Sequence, residues 1–290
     1  MHAARRKVMT EVSDFVAQLE HRPHANLTAM QATAAWQAAL GVTEFTLYYQ
    51  LDLLPPGVDR GYTDYVGRLN AVLRSAQPEY RVLLYYPIRD LWAEYLPMAQ
   101  PLSLTGQTRA AEALFTSFLN LGRAFLRQQT SFALADHEAL AQARIERGRL
   151  RLGRGSFEAL ALPAGAELPP LPRQVTAWCR GRGHLLQVQD PGTLAAKELA
   201  AKVSHELVLD PAGPQIVVGR FTRDGRVIVL AVNVGQQDYA GRAALPGAQE
   251  LESWDPASGA IAAQPVGTRG QFDLALAAHS AIFLVGKPKS

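Results

Sequence analysis

"LTAMQATAAWQAALGVTEFTLYY", residues 27–49, decides how this chain is read. Leu27, Met30, Ala34 and Ala38 recur at the three-and-four spacing that puts an apolar stripe on one side of a helix. Asn26 stands where a side-chain oxygen can cap the first free amides, and Gly41 where a helix can end in left-handed backbone. The spacing predicts a helix over 27–41. "VTEFTLYY", 42–49, is β-branched and aromatic and predicts a strand. Before the helix, "RKVMTE" (6–11) reads as a short strand. After it, "GYTDYVGRLNAVLRSA" (61–76) places Tyr62, Tyr65, Val66, Leu69, Val72 and Leu73 on one helical side. The order β-α-β-α implies parallel strands joined by right-handed crossovers.

The rest of the chain bounds what this start can belong to. Of 290 residues, 48% are hydrophobic and 19% charged, a balance that can fill a core. Net charge is +3, and the basic side is almost all arginine, since Lys occurs only at Lys7, Lys197, Lys202, Lys287 and Lys289. The one arginine cluster, "RIERGRLRLGRG" (144–155), is interleaved with apolar residues; it reads as an arginine-edged strand pair rather than a nucleic-acid site. The single cysteine, Cys179, excludes an intramolecular disulfide framework and a cysteine-based zinc site, and is expected at a helix end as a small buried hydrophobe. No run reaches the roughly 18 apolar residues of a membrane span. "MHAARRKVMTEVSDF" lacks the apolar stretch of a signal peptide, so the default expectation is a cytoplasmic protein without membrane partners.

A second zone, 79–206, alternates strand and helix again. "YRVLLYYP" (80–87) is the continuous apolar run expected of a strand buried on both faces. A long amphipathic helix is predicted over 108–129, strands near "SFALAD", at 157–163 and at 184–189, and helices near "HEALAQA", at 170–182 and at 193–207. This predicts a small doubly wound sheet of flavodoxin-like type. No glycine-rich or Ser/Thr-rich loop follows "VLLYYP", so no phosphate or flavin cofactor is expected. The third zone, 207–290, loses its helices. "RDGR" (223–226) and "DPASG" (255–259) punctuate short apolar strands, which predicts a C-terminal β-sandwich.

Residues 1–78 pose a problem, because two βα units do not make a stable parallel sheet alone. Either they join the second sheet or they end a larger β/α domain. Here the order of "RKVMTE", "LTAMQATAAWQAALGVTEFTLYY", "TDYVGRLNAVLR", "RVLLYYP", "GSFEALALP", "GRFTRDGRVIVLAVN" and "WDPASG" resembles large bacterial glycoside hydrolases. The likeness is to the group that includes family 106 α-L-rhamnosidases and multidomain β-galactosidases. It implies the last two βα units of a (β/α)8 barrel, then a flavodoxin-like α/β domain, then a β-sandwich. It also implies a fragment whose earlier barrel strands lie elsewhere.

The same resemblance makes "RKVMTE" the seventh barrel strand and "VTEFTLYY" the eighth. Active sites on that fold lie at the C-terminal strand ends, so Glu11 becomes the candidate nucleophile or base. The chemistry needs an anion to meet an oxocarbenium-like transition state, and a second carboxyl as acid. The acid would come from an earlier strand, so hydrolysis by the 290 residues alone is not expected. Tyr48, Tyr49, Gln50 and Asp52 follow strand eight and can line a sugar subsite, with His24 in the loop after strand seven. Aromatic faces stack on sugar C–H surfaces, while amides and carboxylates bind hydroxyls. "HRPH" (21–24) lacks a third ligand, so no metal is expected. The bland alternatives are a surface glutamate and a packed aromatic rim. The competing function is a non-catalytic accessory, oligomerisation or carbohydrate-binding protein, homo-oligomeric through the second zone.

Overall fold

The computed structural model describes residues 8–13, 19, 25–49, 51–97, 104–181, 184–188 and 193–286. By its contacts the chain divides into two units, one made of 1–79 with 206–290 and the other of 80–205. The architecture mixes helices with parallel and antiparallel sheets.

In the first unit, β1 (Met9–Val12) and β2 (Glu44–Leu47) pair in parallel, with Glu11 opposite Thr46 and Val12 opposite Leu47. Helix α1 (Leu27–Ala39) joins them. Asn26 caps it, its side chain accepting from the Ala29 amide at 2.9 Å, and Gly41 follows at φ 95°. Helix α2 (Val58–Leu73) starts three residues earlier than its spacing predicted and packs on α1. Close approach is possible because Gly61 has no Cβ to meet the Leu27 side chain.

"QPEYR" is not the plain break its Pro78 suggested. Residues Gln77–Glu79 form a short strand, β3, at the edge of a six-stranded sheet, a position where a missing backbone N–H is tolerated. In the second unit the parallel strands are β4 (Val82–Tyr85), β5 (Phe132–Ala135), β9 (Ala159–Leu162) and β10 (Leu185–Gln187), in the order β10-β9-β4-β5. Every residue of β4 is buried, and its side chains alternate between two cores. Leu83 and Tyr85 enter one with Leu160 and Leu162; Val82 and Leu84 enter the other with Ala159 and Ala161. Helices α3 (Ile88–Glu94), α4 (Arg109–Arg127), α5 (His137–Ala141) and α6 (Arg173–Cys179) lie between these strands in the chain, and α7 (Thr193–Ala200) follows the last of them. Leu121 and Phe125 of α4 join Leu199 and Ala200 of α7 in one core, while Leu114 of α4 joins Leu140 of α5 and Val175 and Trp178 of α6 in the other. The arginine-rich stretch forms three antiparallel strands, β6 (Arg144–Glu146), β7 (Arg149–Leu152) and β8 (Gly155–Phe157), where a pair was expected.

The first unit is completed by β11 (Val208–Asp210), β12 (Ile216–Arg223), β13 (Arg226–Asn233), β14 (Tyr239–Ala244), β15 (Leu251–Trp254), β16 (Ile261–Gln264), β17 (Gln271–Leu276) and β18 (Ala281–Gly286). They form the six-stranded sheet β16-β15-β18-β13-β12-β3 and a three-stranded sheet β11-β14-β17. One core takes Val218, Val229 and Leu284 from the first and Ala243, Phe272 and Leu274 from the second. "RDGR" turns β12 into β13 with Asp224 at φ 51° and Gly225 at φ 75°, the left-handed pair of a tight hairpin.

This sheet answers how two βα units are held. Helix α1 lies on β12 and β13 at Gly219, where the Ala39 carbonyl occupies the space of a Cβ. Arg223 donates to the Ala71 carbonyl of α2 at 2.6 Å, and Arg68 of α2 donates to Ala257 at 2.8 Å in the "DPASG" turn. The outer helices thus find their apolar cover within the same unit.

Candidate functional site

At the C-terminal ends of β1 and β2, strand alternation sorts the side chains. Met9 and Glu11 share a face with Glu44 and Thr46, while Thr10 and Val12 point the other way. Val12 is 1% exposed, and α1 lies against β1. The opposite face is open: Met9 is 66% exposed, and Glu11 is exposed beside it. Among the described residues no other strand pairs with either edge of this sheet. Glu11 therefore stands on an uncovered face, at the end from which a parallel sheet presents its loops.

The strand-eight residues separate. Tyr48 is 58% exposed, and its amide donates to the Val12 carbonyl at 2.9 Å, which ties the two strand ends together. Tyr49 is buried and meets the ring of Tyr62 edge-on, at 6.2 Å between centroids. Asp52 sits exposed in a single helical turn, Leu51–Leu53. Gln50 and His24 lie outside the described residues. The sequence places Tyr62 only on one side of a helix. Its hydroxyl is buried without a hydrogen-bond partner among the described residues. Burial, with Tyr49 facing it, pushes the phenol well above its ordinary pKa.

The second unit carries a cleft of about 440 Å³ outside the C-terminal ends of β4 and β9. The chain crosses from β4 to β5 on one side and then returns past β4 to β9 on the other; such switch points are where doubly wound sheets open a crevice. Asp90, Glu94, Leu114 and Glu167 line it, with alanines and Gly165. Asp90 Oδ2 is buried with no hydrogen-bond partner among the described residues. Burial pushes the Asp90 carboxyl up, the Glu167 amide pulls it down, and the Glu167 charge adds to the rise. A carboxylate lining opposes phosphate, which needs donors and positive charge. Sequence reasoning missed this cleft, because it depends on strand order.

Two charged networks were also not anticipated. Arg220 binds Glu79 at 2.7 Å and lies 3.6 Å from Glu206, which is fully buried. In the other unit Glu158 takes Arg81 at 2.8 Å and Arg149 at 3.3 Å. Among the described residues no group of three His, Cys, Asp or Glu side chains is placed to hold a metal, and no helix is long and apolar enough to cross a membrane.

Comparison with known proteins finds similarity in fold. No protein-family model matches the chain, and no curated protein matches it. Among solved structures it is similar to a rhamnosidase from Novosphingobium sp. PP1Y, with TM-score 0.59 and 13% identity over 92% of this chain and 30% of that one. A β-galactosidase from Bacillus circulans sp. alkalophilus gives TM-score 0.59 and 10% identity over 97% of this chain and 55% of that one. Gan42B, a GH42 β-galactosidase from G. stearothermophilus, gives 0.55 and 8% over 91% and 51%. These neighbours are glycoside hydrolases, and the chain spans between 30% and 55% of their lengths. At such identities the likeness establishes a shared fold.

Proposed function

We propose that this chain is part of an enzyme that hydrolyses glycosidic bonds, with Glu11 as its nucleophile or base. The observation that carries the reading is the parallel pair β1–β2, which holds Glu11 on an open face at its C-terminal end. On this reading the pair is the seventh and eighth strand of a (β/α)8 barrel, the parallel sheet β10-β9-β4-β5 is a flavodoxin-like domain, and the two antiparallel sheets that share one core are a β-sandwich. The fold shared with a rhamnosidase and two β-galactosidases supports that assignment. The partial coverage of each neighbour supports a larger enzyme, family 106-like or GH42-like.

The division of labour follows from the chemistry. A carboxylate at Glu11 either attacks the anomeric carbon or draws a proton from the attacking water. A second carboxyl must protonate the leaving oxygen, at roughly 5–5.5 Å from the first for retention or 6.5–9.5 Å for inversion. That acid comes from a strand outside these residues. Tyr48 offers an exposed ring for a sugar face, and Asp52 an exposed carboxylate for hydroxyls; Gln50 and His24 belong to this subsite by their place in the sequence alone. Tyr49 supports this rim from below by packing on Tyr62.

The test is aryl-glycoside hydrolysis by the purified 290-residue chain. It is expected to be inert. Turnover that Glu11→Gln abolishes would show that the chain carries its own acid and would overturn the division of labour.

A second reading rests on α3 and its exit, where Trp92 is 67%, Tyr95 54% and Leu96 45% exposed. An apolar surface of this kind suits self-association, which would make the second unit an oligomerisation module. Light scattering on a size-exclusion column separates the two states. A monomer in both wild type and Trp92→Ser would remove this reading.

A further inference from the structure

The exposed face of the β6–β7–β8 sheet carries a line of arginines that the glycosidase reading does not use. Register places Arg144, Glu146, Arg149, Arg151 and Ser156 on one face. Ile145, Leu150, Leu152 and Phe157 are on the other, where Leu150 and Phe157 are buried in the core. Arg147 and Arg154 stand exposed in the turns at opposite ends of β7. Side chains two residues apart on a strand are about 7 Å apart. Arg149 and Arg151 therefore stand about 7 Å apart on this face, and the turn arginines Arg147 and Arg154 flank them at the two ends of β7.

Carboxylates answer only part of this charge. Glu146 lies 3.4 Å from Arg151 and 4.0 Å from Arg144. Glu158 reaches Arg149 at 3.3 Å but is already held by Arg81 at 2.8 Å. Among the described residues, neither turn arginine has an ion-pair partner. Ser156 accepts from Arg149 Nε at 3.1 Å, which fixes that guanidinium in the face. Trp178 donates to the Gly148 carbonyl at 2.9 Å and pins the first turn.

Arg147 is also in an unusual backbone state. It has φ 51° and is followed by Gly148 at φ 74°, the geometry of a two-residue turn in which Asn-Gly is favoured. An arginine there carries a strain that asparagine would relieve. Its side chain, rather than its backbone preference, is what suits this position.

We propose that this face docks a linear acidic glycan, one bearing carboxylate or sulfate groups along its length. The guanidinium fork binds both groups in two-point fashion, and a row of forks matches a row of anions. Nucleic acid fits less well. The exposed face has no aromatic side chain for base stacking. The sheet is three strands wide with its reverse face buried, so it is a floor rather than a ribbon that enters a groove. The choice of a glycan rests in part on the glycosidase reading, but binding here needs no turnover at Glu11.

The experiment is equilibrium binding of the purified chain to polygalacturonate, dextran sulfate, neutral dextran, and single-stranded and duplex DNA, at two salt concentrations. At least one acidic glycan is expected to bind, more weakly at high salt, and neutral dextran is not. Which of the two binds identifies the anion. Arg147→Asn is expected to weaken binding about five-fold, with an unfolding midpoint at or above wild type, so misfolding cannot explain the loss. Arg154→Gln is expected to act alike. Binding to neither acidic glycan, tighter binding to either DNA, or unchanged affinity in both variants would overturn the proposal. A chain that binds acidic glycan yet belongs to no glycosidase would sink the catalytic reading and leave this one standing.

Discussion

The guanidinium of Arg220 meets the Glu79 carboxylate at 2.7 Å, joining β12 to β3 at the point where the chain leaves its first unit. The same Arg220 lies 3.6 Å from Glu206, fully buried where the chain returns. Removing the cation from a buried ion pair takes the salt-bridge partner from a buried carboxylate, which costs about 3–5 kcal/mol. Arg220→Met is therefore expected to lower stability by about that much in urea unfolding. A loss under 1 kcal/mol would mean that the pair is idle.

Two glycines on neighbouring elements should behave oppositely. At Gly219 a Cβ would run into the Ala39 carbonyl, so Gly219→Ala has to push α1 off the sheet and is expected to cost about 2 kcal/mol or more. At Gly67, inside α2, a Cβ meets nothing within 4 Å. Gly67→Ala is expected to stabilise by about 0.5–1 kcal/mol through helix propensity. Thermal unfolding of both variants reads the contrast.

How much of this was legible varies by element. The helix over 27–39, its Asn26 cap and its Gly41 stop were readable because cap, stripe and stop agree locally. "RDGR" was readable because Asp-Gly accepts the positive φ that the turn imposes. β3 was not, since three residues containing a proline carry no strand signal and their partner lies some 140 positions away. Likewise Glu11 could be placed at a strand end, but its open face follows from pairing. Tyr49 and Tyr48 are adjacent aromatics, and only the position of Tyr62 decides which one is buried. The Asp90 cleft depends on strand order, which periodicity does not contain.

Acid should unmask Glu158. Burial raises its pKa, but Arg81, the Ser204 contact and Arg149 outweigh that and hold it below its ordinary value. A folded pKa below the unfolded one gives stability that is present above the ordinary carboxylate range and lost as pH falls through the folded value. Glu158→Gln is expected to cost about 2 kcal/mol at neutral pH, with the gap to wild type closing in acid. A gap that persists at pH 2–3 would assign the loss to packing.

Tyr62 tests the rim below the candidate subsite. Its buried hydroxyl has no partner among the described residues, so Tyr62→Phe removes an unsatisfied group and keeps the edge-on contact with Tyr49. The expected change is neutral to about 1 kcal/mol stabilising. A clear destabilisation would reveal a hydrogen bond at that hydroxyl.

The most direct test of the catalytic reading is Glu11→Ala in the chain extended by the coding sequence upstream of Met1, assayed on aryl glycosides with and without azide. The account predicts hydrolysis by the extended wild type and at least about a hundredfold loss in the variant. Azide should restore turnover by entering the space left by the carboxylate, giving a glycosyl azide. Hydrolysis unchanged by Glu11→Ala would contradict the claim that Glu11 carries the chemistry.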